Sequence, residues 1–319
     1  MSSSGLRFFL KLAISAALIW VIIERLGLAD VAERVKAMSV GGMLLVVLLL
    51  LLQCVVASIR WEWIIRVMGY FFPFTAALKA WLIGYFLGQG FPSTIGQDAF
   101  RAIRLRNIGV PTSISIEIIV MDRFTGVVAL VLLAALTLPV FFSLASDSAP
   151  LWPVALVIGC GILGTGLLFS TISMPKQLAR FKIAALISRF RSNLKRLAGS
   201  PNNLLWTFLP ALVAHLLTVL AAYIIAWDGG TRIGFLQCLA IIPPAIFVSL
   251  IPISIAGWGI REGSIVAAGL LIGIPSADAL FMSVMLGLGF LVVGLIGGVV
   301  WLVTGARRPM SRNNDSVAR

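Results

Sequence analysis

Apolar runs of about 20 residues recur from one end of this chain to the other, and nothing else in it restricts the fold as strongly. A helix rises about 1.5 Å per residue, so such a run matches about 30 Å of hydrocarbon. Five long runs stand out: Leu6–Ile23, Val40–Ile59, Ile114–Val140, Leu151–Thr171 and Leu204–Trp227. A sixth, Leu280–Val303, closes the series. Phe74–Gly90 and Phe235–Ile251 are shorter and run into Gly/Pro-rich breaks, and Ile265–Ile274 is too short to cross unaided. The fold class expected is all-α: a polytopic integral membrane protein with about six full spans and two broken or re-entrant segments. Residues 1–319 form a single transmembrane domain in this reading.

Composition agrees, because only 12% of the 319 residues are charged, about half the share of a soluble domain. Mean hydropathy is +1.06. A net charge of +13 raises the question of nucleic acid, but the basic residues lie mainly between apolar runs, and no soluble basic domain is present to grip a duplex. Nucleic acid is therefore not expected as a partner. Cys54, Cys160 and Cys238 lie in or beside apolar runs, without a C-x-x-C, and His215 is the one histidine. That pattern excludes a disulfide framework and a conventional zinc site, so no metal or cofactor is expected. Arg7 and Lys11 before Leu12–Ile23 imitate a signal peptide, but no A-x-A-like site follows, so the first span is expected to be retained.

Orientation follows from lysine and arginine. With a cytoplasmic N-terminus, 18 of the 25 fall on the cytoplasmic side and four (Arg25, Arg34, Lys36 and Arg232) fall outside. Lys79, Arg123 and Arg261 lie within apolar segments. Both termini, including the tail 307–319, are expected in the cytoplasm, and a bacterial inner membrane is the expected location. Residues 174–203 carry seven basic residues and no acid, with Leu178, Phe181, Ala185, Phe190, Leu194 and Leu197 approximating a helical stripe. This segment reads either as an amphipathic helix on anionic lipid or as a positive-inside loop. Most tryptophans, Trp61 among them, mark span ends as an aromatic belt does; Trp81 and Trp258 depart from it.

The two interrupted regions match each other. Counting from Pro92 and from Pro252, 160 residues later, each has a hydroxyl residue at +2, isoleucine at +3 and arginine at +9 (Arg101 and Arg261). The flanking spans repeat at nearly the same offset, giving pseudo-repeats 1–145 and 146–306. An odd number of crossings per half inverts the second half, an arrangement typical of secondary transporters with discontinuous helices.

Three constellations carry charge into these regions. In Gly96-Gln-Asp98-Ala-Phe-Arg101-Ala-Ile-Arg104, a helix expected to start near Gln97 puts Asp98, Arg101 and Arg104 on one face beside a positive helix end. Free N–H groups and guanidinium forks there suit a phosphate; the same residues also read as an acid at a helix N-terminus with arginines as positive-inside anchors. Around Ser254-Ile-Ala-Gly257-Trp-Gly259-Ile-Arg261-Glu262, helical geometry turns the last two side chains apart, so each is expected to find another partner. Unpaired at mid-bilayer, either would cost at least about 2.5–3.5 kcal/mol. Glu117 and Asp122-Arg123 lie within a long span, and one of the latter two is expected to serve Arg261 and the other Asp98 or Glu262. His215 reads as a hydrogen-bonded interior residue before a proton relay, and Gly84-xxx-Gly88 and Gly294-xxx-Gly298 as close helix contacts.

Gly96-Gln-Asp-Ala-Phe-Arg101, Asp122-Arg-Phe-Thr-Gly126 and Ile251-Pro-Ile-Ser-Ile-Ala-Gly-Trp-Gly-Ile-Arg-Glu-Gly263, in that order, resemble the lysylphosphatidylglycerol synthase transmembrane (flippase-like) family over nearly the whole chain. The family usually has Gly-Gly-Asp where this chain has Gly96-Gln97-Asp98. In its bifunctional members, the multiple peptide resistance factors, such a membrane domain moves an aminoacylated lipid between leaflets and a soluble transferase domain makes that lipid. This sequence ends at Arg319 without one, so the resemblance implies translocation of a phospholipid or polyprenyl-phosphate-linked lipid, not synthesis and not an enzyme. The partners implied are membrane lipids with an anionic headgroup, and a lipid-synthesis enzyme. An accessory subunit or a membrane-embedded enzyme of envelope-lipid or glycolipid biosynthesis is the alternative. An enzyme of that kind needs water-facing acids, often with a metal, and the twelve acids here include no D-x-D cluster.

Overall fold

The structure is a computed structural model that describes Arg34, Lys36, Ser254 and residues 38–89, 95–145, 150–169, 182–251 and 256–304. The first span, the prolines at 92 and 252, Asp147 and the tail 307–319 lie outside the described residues. The ten described helices are α1 (Val40–Val67), α2 (Phe74–Gln89), α3 (Ile95–Asn107), α4 (Thr112–Leu144), α5 (Trp152–Phe169), α6 (Lys182–Ala198), α7 (Pro201–Asp228), α8 (Phe235–Ser249), α9 (Ile260–Leu271) and α10 (Ser276–Thr304). No strand occurs among the described residues. Helices α1, α4, α7 and α10 are long and apolar enough to cross a membrane, with α5 and α8 as shorter apolar helices.

Local chemistry sets the boundaries. The Ser39 hydroxyl accepts from the Gly42 N–H at 2.9 Å and so starts α1. Ser200 does the same for α7 through the Asn203 N–H at 3.1 Å, with Pro201 in the first turn. Helix α1 continues two turns beyond the expected end at Ile59, because its backbone ladder persists through Arg60-Trp-Glu-Trp. Arg60 can stay inside because Asp122 neutralises it. Helix α3 begins at Ile95, slightly ahead of Gln97. The stretch expected over Ile265–Ile274 belongs to a helix that already starts at Ile260, behind a tight loop in which Ala256, Gly257 and Gly259 all have positive φ. At φ near +80° a side chain is strained, which accounts for glycine at 257 and 259.

The helix contacts keep their pattern when the halves are exchanged. Helix α1 packs on α7, its counterpart about 160 residues later; α2 packs on α10 as α8 packs on α4; α2 meets α3 as α8 meets α9. The α2–α10 seam is close because Gly297 lies against the Leu82 carbonyl and Gly298 against the Phe86 ring, where side chains would hold the helices apart. One face of the α1–α7 pair is also tied by Asp228, which accepts from the Ser39 N–H at 2.8 Å and its hydroxyl at 2.9 Å. Arg34 meets Asp278 at 2.5 Å on that face.

Two expectations about surfaces are corrected. Helix α6 is amphipathic, but its apolar side rests on the bundle and not on lipid alone. Leu194 and Leu197 are buried, Phe190 meets Phe124 edge-on with centroids 5.2 Å apart, and the Asn193 amide donates to Glu117 at 2.9 Å. Of the stripe residues, Leu178, Phe181 and the Ala185 side chain lie outside the described residues. Trp61 is not part of a belt: it is fully enclosed, with Arg101 over its ring.

Candidate functional site

Where α1, α2, α4, α7, α8 and α10 meet, they leave a cavity of about 420 Å³. Its wall includes Arg60, Asp122 and Arg123 from the first half and Gly257, Trp258 and Arg261 from the second. Residues from both interrupted regions line this one cavity: Gln97 from the first, and Gly257, Trp258 and Arg261 from the second.

On the first-half side, four charged groups form a continuous chain with Arg60. Arg60 donates to one oxygen of Asp122 at 2.8 Å, and Arg101 donates to the other at 2.7 Å. Arg101 also donates to Asp98 at 2.7 Å, and Arg123 reaches the same carboxylate at 2.9 Å and Gln97 at 3.3 Å. The i, i+3 placement of Asp98 and Arg101 on α3 brings that pair together as the sequence implied. Arg101 has no exposed surface, and its guanidinium lies 4.4 Å from the Trp81 centroid and 5.1 Å from that of Trp61. A desolvated cation fits there because two carboxylates and two ring faces replace its water. Toward the cavity the network loosens: the side chains of Arg123 and Asp98 are 32% and 26% exposed.

The second-half side is smaller. Contrary to the helical-wheel expectation, Arg261 and Glu262 do pair: Arg261 Nε donates to Glu262 at 3.0 Å, and Nη2 contacts the same oxygen. Both sit in the first turn of α9, where Glu262 folds back to accept the Gly259 N–H at 2.6 Å, and a long arginine can curl round to meet it. Ser283 adds a contact at 3.3 Å. The guanidinium lies 4.9 Å from the Trp258 centroid and packs on Gly287, where a Cβ would collide with it.

Asp122 therefore serves Arg60 and Arg101 and not Arg261, while Arg123 serves Asp98. Of the remaining predicted site residues, Gly96 and Ser254 are buried, and Gly259 supplies its N–H to Glu262. Arg104 is half-buried and does not line the cavity. Glu117 lies apart, holding α6. His215 faces the cavity with Nε2 3.0 Å from the Gly126 carbonyl, consistent with a hydrogen-bonded interior residue. Sequence reasoning missed Arg60, counted among surface anchors, and the aromatic wall residue Tyr85. A cation closing an apolar run, with an acid in another run to answer it, was the signal available for Arg60.

The profile of the lysylphosphatidylglycerol synthase TM region matches residues 8–302. The chain belongs to this family. It is also similar to UPF0104 membrane protein PH1989 of Pyrococcus horikoshii, at 22% identity over 325 aligned positions that cover 92% of this chain and 96% of that protein. The lysylphosphatidylglycerol synthase TM region is thus nearly coextensive with the helices described, and the charged cavity lies within it.

Proposed function

We propose that this protein is a flippase that moves a phospholipid or a polyprenyl-phosphate-linked lipid between leaflets, with the anionic headgroup passing through the central cavity. The observation that carries this reading is the convergence of three arginines from both halves, Arg60, Arg123 and Arg261, on one cavity deep among membrane-spanning helices. Burying guanidinium groups in such a place is costly, and an anion that enters and leaves gives a reason for them. Exchange of the halves in the contact pattern supports an inverted repeat, in which rocking of one half against the other opens the cavity to alternate faces. The tie formed by Ser39 and Asp228 would then be one that opens in the cycle.

The test is leaflet exchange in proteoliposomes that carry a headgroup-labelled anionic phospholipid. Purified protein should raise the rate well above protein-free vesicles; a folded protein with no such effect on phospholipid or lipid-linked phosphate removes the reading.

The orientation belongs to the same proposal: cytoplasmic termini in a bacterial inner membrane, with α6 inside. Arg189 is 69% exposed on α6, whereas Asn193 is buried against Glu117, so Arg189 is the informative probe position. A membrane-impermeant thiol reagent added to intact cells should miss a cysteine at 189 and label one at 147. The opposite labelling pattern refutes this orientation.

A further inference from the structure

We infer that the cavity selects a headgroup with one net negative charge, a phosphodiester without a free amine, an inference that rests on the reading of the cavity as a headgroup site. Among the described residues, the charged groups that line the cavity (Arg60, Arg123, Arg261 and Asp122), taken with the groups ion-paired to them behind the wall (Arg101, Asp98 and Glu262), make four guanidinium groups and three carboxylates. Each carboxylate accepts from at least one guanidinium, so every one of these groups is counted with its ordinary charge. His215 uses Nε2 on a backbone carbonyl and pairs with no carboxylate, so it enters the count as neutral. The sum is one positive charge. It is most open to an incoming group at Arg123, the most exposed of these arginines.

In a site of low dielectric an uncompensated charge is expensive, so the bound state nearest neutrality is favoured. One phosphodiester brings the cluster to zero. A zwitterionic headgroup leaves the surplus in place and sets an ammonium near Arg123 or Arg261. An aminoacylated headgroup adds a further cation. A phosphomonoester, with about −1.5 to −2 charge at neutral pH, overshoots. The two tryptophans of the wall, Trp81 and Trp258, already hold Arg101 and Arg261.

Two sources offer this chemistry: a glycerophospholipid such as phosphatidylglycerol, and a sugar joined to a polyprenol through a phosphodiester. Occupancy can be read as protection of a Ser249→Cys thiol on the cavity wall, in a background without the three native cysteines. Short-chain phosphatidylglycerol and a short-chain isoprenyl phosphodiester sugar are titrated beside short-chain phosphatidylethanolamine, lysyl-phosphatidylglycerol and phosphatidate. At least one phosphodiester should bind roughly tenfold or more tightly than the amine-bearing lipids, and the tighter of the two names the source. Asp98→Asn raises the surplus by one and should move the preference to phosphatidate. Arg123→Gln removes the surplus and should move the preference to the net-neutral phosphatidylethanolamine. The double variant Asp98→Asn/Arg123→Gln restores the count and should restore the phosphodiester preference. Phosphatidylethanolamine binding within twofold of both phosphodiesters, or one lipid ranking shared by all four proteins, overturns the inference and leaves the headgroup site standing. Protection by no lipid at all, in protein that is folded, ends both.

Discussion

Arg101→Met should be among the more damaging single substitutions in this chain, lowering stability by about 1.5–3 kcal/mol, the usual worth of a hydrogen bond to a charged group. Arg101 has no exposed surface and joins Asp98 to Asp122, while its guanidinium lies over the rings of Trp61 and Trp81. Removing it leaves Asp122 with Arg60 and Asp98 with Arg123, so neither acid is abandoned, but the bridge between them is lost along with two ring contacts. Arg101→Lys keeps the charge yet cannot present two parallel N–H groups to two acids while lying over both rings, so it should recover only part of the loss. Arg104→Ala, one turn further along α3 and away from the cavity, is the control and should stay within about 0.5 kcal/mol of wild type. The measurement is protein accumulated in membranes together with thermal unfolding in detergent. Wild-type behaviour of Arg101→Met in both would show that the network is not what holds α3 to α1 and α4.

This result bears on how Arg101 is read. Its motif position suggested a headgroup contact; in the structure it has no exposed surface and donates to two carboxylates, so the proposed role for it is to position the site. The guanidinium groups of this network that line the cavity are Arg60 and Arg123, of which Arg123 is the more exposed.

Much of the fold was legible because a membrane simplifies the physics. Every run long enough to cross appears as a helix wherever the residues are described, and the half-length offset of the Arg101 and Arg261 motifs placed their neighbourhoods around one cavity. What sequence could not reveal was partner choice. Arg60 closes an apolar run as any positive-inside anchor does, and only the packing of α1 against α4 sets it beside Asp122. Trp61 likewise sits at a run end and becomes interior because α1 keeps going and Arg101 needs a ring face. The Arg261–Glu262 pair violates the helical wheel, since wheels describe Cβ directions in mid-helix and not long side chains folding over a first turn.

Arg261→Lys should insert and fold as wild type does, yet exchange lipid between leaflets about 10–100-fold more slowly. The structure gives both halves of that expectation. Folding survives because the ammonium still neutralises Glu262, which is also held by the Gly259 N–H and approached by Ser283. Exchange suffers because a planar fork is lost on the cavity wall, and a charge-assisted pair of hydrogen bonds to a phosphate is worth about 1.5–3 kcal/mol. A factor of ten corresponds to about 1.4 kcal/mol, so the slowing follows if those bonds form at the rate-limiting stage of passage. Arg261→Ala differs in kind. It removes the cation that neutralises Glu262 and leaves a hole beside Gly287 and Trp258, so it should cost about 3 kcal/mol of stability as well as exchange. Comparing the two variants separates chemistry from scaffolding: protein yield and melting temperature report the scaffold, and exchange per folded molecule reports the fork. An Arg261→Lys protein exchanging labelled anionic lipid at the wild-type rate would make this arginine a structural partner of Glu262 alone, and the headgroup would have to be held by Arg123 and Arg60.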